Sequence, residues 1–487
     1  MHVKKKKHWY RPKGYEHITP RLSFDDYRFV KSYAKSPNEV SKHAFLPLIH
    51  STIKERRYKV VDAKTGRRSH KKVEKGRTKS TAKKRQIYYA THIDTQIYSY
   101  YSNQILGPKY ENMLSARPNL SECVTAYRRI PTGNGSNKGN AHFAKEVFDF
   151  IKLKGDCAVM VLDISKFFDS LGHAILKKMW RKVLGDNVIT LPKDHYNVYK
   201  SLINFSYIEM SDILDKYDIK HIKELRRRNS SSFCDDIEDF KKNFVDTGLI
   251  KKNPFKNKSG KSQGIPQGTP LSALLANFYL FEFDNIVLSA IQSSNNALYR
   301  RYSDDLVIVC DLEDAQYLQT LVLSEISNKC NLLIHPDKTK KYVFKKDKSD
   351  SKFSVKQILP NGNFKENIPL EYLGFEFDGN RILLKSSSLS KYYRKLKRGV
   401  RIKAWRALEA KKKNRRKPTT NAKIYRQGLY KSFSHLGRNR KRGNYLTYAF
   451  RAAKIMDEPA IKGQVSKSWK ILNNQINRYQ KKYRLPK

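Results

Sequence analysis

The chain has 487 residues, with 99 Lys and Arg against 45 Asp and Glu, a formal charge of +54, and 39% hydrophobic residues. That apolar share excludes a wholly disordered basic tail, and the length allows two to four domains at roughly 100–200 residues each. The charge is uneven: residues 1–86 carry 26 basic and 7 acidic side chains, residues 385–487 carry 32 and 3, and the nearly neutral stretch between them carries 41 and 35.

Two cationic arms around a neutral centre attract polyanions, nucleic acid foremost, because each neutralised phosphate releases counterions. The first seventeen residues, MHVKKKKHWYRPKGYEH, have no apolar segment of a secretory signal. No apolar run approaches the roughly eighteen residues of a membrane span, so a cytosolic, soluble protein is expected. Residues 51–86 are charged and broken by Gly66 and Gly76, which predicts a hairpin or loop that orders on nucleic acid. From Ile87, IYYATHIDTQIYSYYSNQILGPKY spaces apolar residues at helical intervals and predicts the first helix of a packed core, ending near Gly107 and Pro108.

Residues 157–162, CAVMVL, form a continuous apolar run too short for a helix, and the run stops at Asp163. A buried strand ending in a carboxylate is the natural reading, with the helical stretch ISKFFDSLGHAILKKMW after it. Residues 175–260 predict helices around 196–214 and 235–245 among polar loops. After Gly260, SQGIPQGTPLSALLANFYLFEFD is a Gly- and Pro-rich loop opening a helix with Leu271, Leu274, Leu275, Phe278 and Phe281 on its apolar face. ALYRRYSDDLVIVC then reads as two strands about a tight turn, followed by the short segments CNLLIHPDKTKKYVF and EYLGFEFDG. Beyond Ser386 the period is helical, with stripes Leu389, Tyr393, Leu396, Val400, Ala404, Leu408 and Ile461, Val465, Trp469, Leu472, Ile476, Tyr479, and a loop at residues 411–417 and Pro418. The five cysteines, Cys123, Cys157, Cys234, Cys310 and Cys330, show no metal-ligand spacing and are odd in number, which argues against a zinc site or a disulfide framework.

Three carboxylates stand out: Asp163 after the buried strand, and Asp304 and Asp305 in the tight turn. Strands that bring these acids together would make them repel one another, a cost that a divalent cation removes. Hard oxygen ligands suit Mg²⁺, and two such ions about 4 Å apart can activate a hydroxyl and stabilise a leaving pyrophosphate. Alone, an Asp-Asp turn is ordinary turn chemistry and an Asp after a strand is ordinarily a helix cap; the ordered combination carries the signal.

The series VLDISKFFDSL, GIPQGTPLSALLANFYL, RYSDDLVIV, PDKTK and EYLGFEF resembles the successive palm motifs of reverse transcriptases, in order, over residues 163–374. AYRR at residues 126–129 and NKGNAHFAKEVFDFI resemble finger motifs of bacterial members. The resemblance implies an α+β right-hand polymerase: a basic N-terminal RNA-binding extension at 1–86, fingers and palm at 87–385, and an all-helical thumb at 386–487. Asp163, Asp304 and Asp305, with the Ile164 carbonyl, would hold two Mg²⁺ ions, Mn²⁺ being an acceptable substitute. Phe168 matches the ring that leaves no space for a 2′-hydroxyl. Gln267 and Gly268 match the loop against nucleotide and template, Arg128 or Arg129 would grip the triphosphate, and Lys338 or Lys340 would donate a proton to pyrophosphate. Tyr372, Leu373 and Gly374 match the turn that grips the primer.

The turn is YSDD rather than the frequent YADD, and about 90 residues separate Ser170 from Gly260, longer than in compact viral enzymes. This spacing is similar to that of the "unknown group" of bacterial enzymes, which includes defence-associated and abortive-infection reverse transcriptases. The resemblance implies a free-standing antiphage enzyme whose partners are a structured noncoding RNA, its DNA product and deoxynucleoside triphosphates, with a homo-oligomer left open. Aromatics among the basic residues, His8-Trp9-Tyr10-Arg11, Tyr392-Tyr393-Arg394 and the run from Tyr479 to Arg484, are candidates for base stacking, with helix core the preferred reading for Trp469 and Tyr479. Rival readings are template-independent or protein-primed DNA synthesis, and an RNA-binding scaffold with an inactive palm.

Overall fold

The computed structural model describes residues 9–486, apart from 57, 63–64, 75, 219–231, 294–295, 414–421 and 438–442. His8 and most of the loop expected around Pro418 lie outside the described residues. In the charged stretch after residue 47, branched and aromatic side chains recur among the charges, and strands form there. Leu48–Glu55 (β1) pairs antiparallel with Lys83–Tyr89 (β2), which sets Glu55 opposite Lys83. Two small hairpins, Lys59–Val60 with Arg68–Ser69 and Lys71–Glu74 with Arg77–Ser80, fill the interval.

Ile87, Tyr88 and Tyr89 therefore belong to a strand rather than to the start of a helix, and residue 86 falls inside β2. The helix His92–Tyr100 (α1) begins where the Thr91 hydroxyl accepts from the Asp94 N–H. It does not stop at Gly107 and Pro108: a π-helical stretch, Tyr101–Leu106, leads into Gly107–Ser115 (α2), where Pro108 occupies the first turn and needs no N–H partner. The helix expected over residues 196–214 is also interrupted. Ser206–Glu209 (β4) lies between two helices and joins β1 in parallel, with Lys251–Lys252 (β5) beyond it.

Six apolar side chains in a row point to both faces of a sheet, so both faces must be covered. Cys157–Asp163 (β3) accordingly lies inside a six-stranded antiparallel sheet. On one side are Asp305–Cys310 (β7) and Leu298–Tyr302 (β6); on the other are Lys340–Lys346 (β8), Phe353–Ile358 (β9) and Phe364–Glu366 (β10). Ala158, Met160 and Leu162 pack with the helices His173–Leu184 (α3), Ser272–Tyr279 (α4), Phe281–Ser293 (α5) and Ala315–Asn328 (α6). Cys157 and Val159 face the other way, into a core that continues to the C-terminal helices. The single helix expected after the Gly-rich loop is two, α4 and α5, bent by 44°.

A three-stranded sheet, Leu370–Tyr372 (β11), Phe375–Phe377 (β12) and Ile382–Leu384 (β13), leads into the helical module of Ser386–Lys413 (α7), Tyr445–Met456 (α8) and Ser468–Tyr483 (α9). Together these elements make an α+β architecture with an all-helical C-terminal part. Three of the candidate stacking rings are core instead. Trp9 and Tyr10 are buried against Tyr27 and, for Trp9, Tyr100; Tyr392 is buried with its ring stacked 4.7 Å from that of Tyr445. No single helix among the described residues is long and apolar enough to cross a membrane.

Candidate active site

Asp163 ends β3 and Asp305 opens β7, and the antiparallel register sets them directly opposite each other. Asp304 lies in the two-residue loop, Ser303 and Asp304, that joins β6 to β7. Main-chain bonds fix the strand ends: the Ile164 N–H donates to the Asp304 carbonyl at 2.9 Å, and the His335 N–H to the Asp163 carbonyl at 2.7 Å. Ser303 takes φ 62°, the positive value such a loop requires and glycine favours. Its hydroxyl lies 3.1 Å from that of Tyr127.

Beneath this loop is a group of residues that the sequence reading missed. Arg301, two residues before Ser303, is 0% exposed and lies across the Asp284 carboxylate, donating through Nε at 2.8 Å and Nη2 at 2.6 Å. The Tyr299 hydroxyl donates to the same carboxylate at 2.7 Å, and Arg301 Nη1 donates to Asn277 Oδ1 at 3.1 Å. The Arg301 carbonyl accepts from both the N–H and the hydroxyl of Thr125. An arginine within a strand that alternates toward the core was the one available signal.

Burial pushes the Asp304 carboxyl above the usual carboxylate range, and Asp163 adds to it. Burial, then Asp304 and Asp163, raise Asp305 to about 7, against the opposing pull of Lys338 and Lys385. The Lys338 ammonium pairs with the Asp163 carboxylate, whereas Lys340 donates to Glu371 at 2.8 Å and Lys385 joins the same carboxylate at 3.1 Å. Of the two candidate lysines, only Lys338 reaches the acids. Among the described residues no three His, Cys, Asp or Glu side chains already close on a common point as a formed metal site. The donor set nevertheless fits a hard divalent cation: oxygen ligands only, on two acids whose pKa values are raised by burial first and by neighbouring carboxylates after it.

This yields a pH prediction. A native pKa of about 7 for Asp305 lies above its unfolded value of about 3.9, so the native state holds the extra proton between the two. That contribution to stability is complete below about pH 4 and is lost as pH rises through about 7. Ligation needs the ionised acids, so Mg²⁺ should raise the melting temperature by at least about 2 °C at pH 8 and hardly at all at pH 5.5. Equal shifts at both values would refute the assignment.

The remaining candidates divide. Phe168 is half-buried, and its carbonyl accepts from the Ile265 N–H at 2.9 Å, which ties the Gly-rich loop to the turn after Asp163. The Gln267 carbonyl accepts from the Tyr88 N–H at 2.8 Å, and Gly268 has φ 131° with the Tyr88 carbonyl 2.4 Å from where a Cβ would stand. The close approach that requires this glycine is thus made by β2. Arg128 is bound to Glu111 and to the Ser121 and Val124 carbonyls, which corrects its reading as a triphosphate ligand; its side chain has a structural role. Arg129 is exposed, with no hydrogen bond or ion pair among the described residues. Leu373 and Gly374, at φ 44° and 92°, form the tip between β11 and β12; the Tyr372 ring is buried.

A groove of about 960 Å³ runs between β1 and α7, lined by Lys54, Arg56, Arg394, Arg398 and Arg401 among other cations. Its one acid, Glu55, is held down to about 2 by hydrogen bonds from Lys391 and Arg85.

A family model described as "Reverse transcriptase (RNA-dependent DNA polymerase)" matches residues 112–377, more than half of the chain. No curated protein sequence matches. Among solved structures, a telomerase from Candida tropicalis truncated from its C-terminal domain is similar at 9% identity and TM-score 0.36, covering 74% of this chain and 59% of that one. A telomerase from Candida albicans in complex with a TWJ fragment of telomeric RNA is similar at 12% identity and TM-score 0.39, covering 94% and 65%. The chain thus spans less than two thirds of the length of either.

Proposed function

Because the chain belongs to the reverse transcriptase family, we propose that it is an RNA-directed DNA polymerase that copies an associated structured noncoding RNA, in the cytosol, as part of phage defence. The observation that carries the polymerase reading is the register of Asp163 against Asp305, with Asp304 in the adjoining turn. Asp163, Asp304 and Asp305, with the Ile164 carbonyl, would hold two Mg²⁺ ions. When bound, these would lower the pKa of a primer 3′-hydroxyl and neutralise the charge that develops on the leaving pyrophosphate.

The chain's own residues do the positioning. The Thr125, Arg301 and Asp284 bonds fix the angle of the acidic turn. Lys338, already on Asp163, is the proton donor to the pyrophosphate oxygen, while Glu371 keeps Lys340 away from it. The groove between β1 and α7 supports a nucleic-acid partner through phosphate contacts. The defence role rests on the resemblance alone, and the noncoding RNA on that resemblance together with the cationic arms.

Extension of a DNA primer on an RNA template by the purified protein with Mg²⁺ tests the reading, and absence of any incorporation would overturn it. Phe168→Ala should raise ribonucleotide use at least about tenfold relative to deoxynucleotides, worth about 1.4 kcal/mol of discrimination. Unchanged sugar preference would remove Phe168 from that role. Sequencing RNA and DNA that co-purify with the protein tests the template, and unchanged phage plating with the gene and its neighbouring noncoding region would count against defence.

A further inference from the structure

The acidic turn carries a serine where alanine is frequent, and the Ser303 hydroxyl lies 3.1 Å from that of Tyr127. Ser303 is buried, so this hydroxyl is withdrawn from water. A hydrogen bond from it also reaches the Asp304 carboxyl. An ionised carboxylate only accepts, which fixes the order of donation: Tyr127 donates to Ser303, and Ser303 donates to Asp304.

Tyr127 is strained. Its φ is 62°, in the left-handed region that a bulky side chain rarely enters. The residues around it hold the backbone there. The Thr125 N–H and hydroxyl both donate to the Arg301 carbonyl, Asn277 Nδ2 donates to the Ala126 carbonyl at 2.9 Å, and Arg128 is tied to Glu111. Val124 and Arg301 form an isolated parallel bridge, so the segment that ends in Tyr127 runs beside the end of β6. Thr125 and Ala126 are buried, yet the Tyr127 side chain emerges 56% exposed and belongs to none of the apolar clusters. Packing therefore does not account for the ring, and strain kept at a site without a packing reason is a mark of function.

We propose that Tyr127 is a positioning residue: its ring bears the 3′-terminal nucleotide of the primer strand, and its hydroxyl passes that contact through Ser303 to Asp304. Ser303 immediately precedes Asp304, so a strand whose 3′ end reaches that acid meets the exposed ring beside it. Aromatic rings take any base, which suits a contact that must tolerate every sequence. A seated strand stills the ring, which fixes the two hydroxyls and with them the orientation of the Asp304 carboxylate. The primer strand as occupant rests on the polymerase reading; the path of hydrogen bonds from Tyr127 to Asp304 does not.

Two variants separate the ring from the hydroxyl. Tyr127→Asn removes the ring and places there a residue that tolerates the left-handed region, whereas Tyr127→Phe keeps the ring and removes the hydroxyl. Binding of a DNA primer on an RNA template by the metal-free full chain should weaken at least about fivefold in Tyr127→Asn and stay within about twofold of the parent in Tyr127→Phe. Equal binding by the parent and Tyr127→Asn would overturn the ring contact. The melting temperature of Tyr127→Asn should equal or exceed the parent's, because strain is relieved; a large fall would make the tyrosine a structural part and overturn its role. In primer extension with Mg²⁺, Tyr127→Phe and Ser303→Ala should each lower kcat about three- to tenfold at unchanged KM for the template-primer. The double variant should be no slower than either single one, since both lose the same bond. Losses that multiply, or a kcat equal to the parent's, would overturn the coupling. Complete loss of extension in Tyr127→Phe with Ser303→Ala still active would also overturn it, because the hydroxyl would then be reacting rather than positioning. Weaker duplex binding by Tyr127→Asn in a protein that extends no primer would leave the ring contact standing and the polymerase reading refuted.

Discussion

Replacing Asp304 and Asp305 together by alanine is expected to lower primer extension at least about 10³-fold, equivalent to about 4 kcal/mol of transition-state stabilisation. The fold should survive the change. Asp305 is raised to about 7 by burial and by its acidic neighbours, so at neutral pH its ionised form already opposes folding. Removing two of three mutually repelling carboxylates leaves the Lys338 and Asp163 pair intact. The melting temperature of the metal-free variant at pH 8 should therefore equal or exceed that of the parent. Loss of activity with an undiminished melting temperature assigns the acids to chemistry. Extension at the parent's rate would refute the assignment, and a large fall in melting temperature would show that the turn itself had collapsed.

The second large effect lies one layer deeper. Arg301→Met should destabilise the protein by about 3–5 kcal/mol, because it leaves the Asp284 carboxylate buried with no cation. That is a large part of the roughly 5–15 kcal/mol by which folded proteins are usually stable, so poor soluble yield is the expected phenotype. Arg301→Met combined with Asp284→Leu removes both charges and should recover most of the loss, a coupling that a double-mutant cycle measures directly. The recovered protein should still polymerise poorly. Arg301 stands two residues before Ser303, and its side chain, with those of Tyr299 and Asn277, sets the angle of the loop that presents Asp304. Full activity in the recovered double variant would limit Arg301 to a structural role.

Where information was local, the sequence disclosed the structure. CAVMVL could only be a strand covered on both faces, and YSDD between two apolar runs could only be a hairpin loop; both acids then fell where the register of β3 and β7 put them. Where a partner lay far along the chain, the sequence was mute. IYY at residues 87–89 opens a stretch with helical spacing of apolar groups, but β1 was available to pair with it, and strand pairing won. Arg128 looked free for a phosphate because nothing in AYRR points to Glu111 seventeen residues earlier. Gly268 was correctly marked as a place of close backbone approach, yet what approaches is Tyr88, 180 residues away, rather than a ligand. The core of Arg301 and Asp284 was hidden for the same reason: its members come from four separate segments, and each alone reads as an ordinary polar residue.

The place of β3 in its sheet also governs how the protein is made. This strand is translated well before either neighbour, since β7 begins at Asp305 and β8 at Lys340. Until both have left the ribosome, an apolar ribbon with two open edges must wait, and pairings over such long loops form slowly. The nascent chain therefore lacks the facing acids until most of it has been synthesised, because Asp163 has no Asp305 beside it. Its period of greatest exposure to chaperones and to aggregation falls in that same interval. Synonymous codon changes that slow translation between residues 163 and 305 should lower soluble yield without altering the specific activity of the protein that folds.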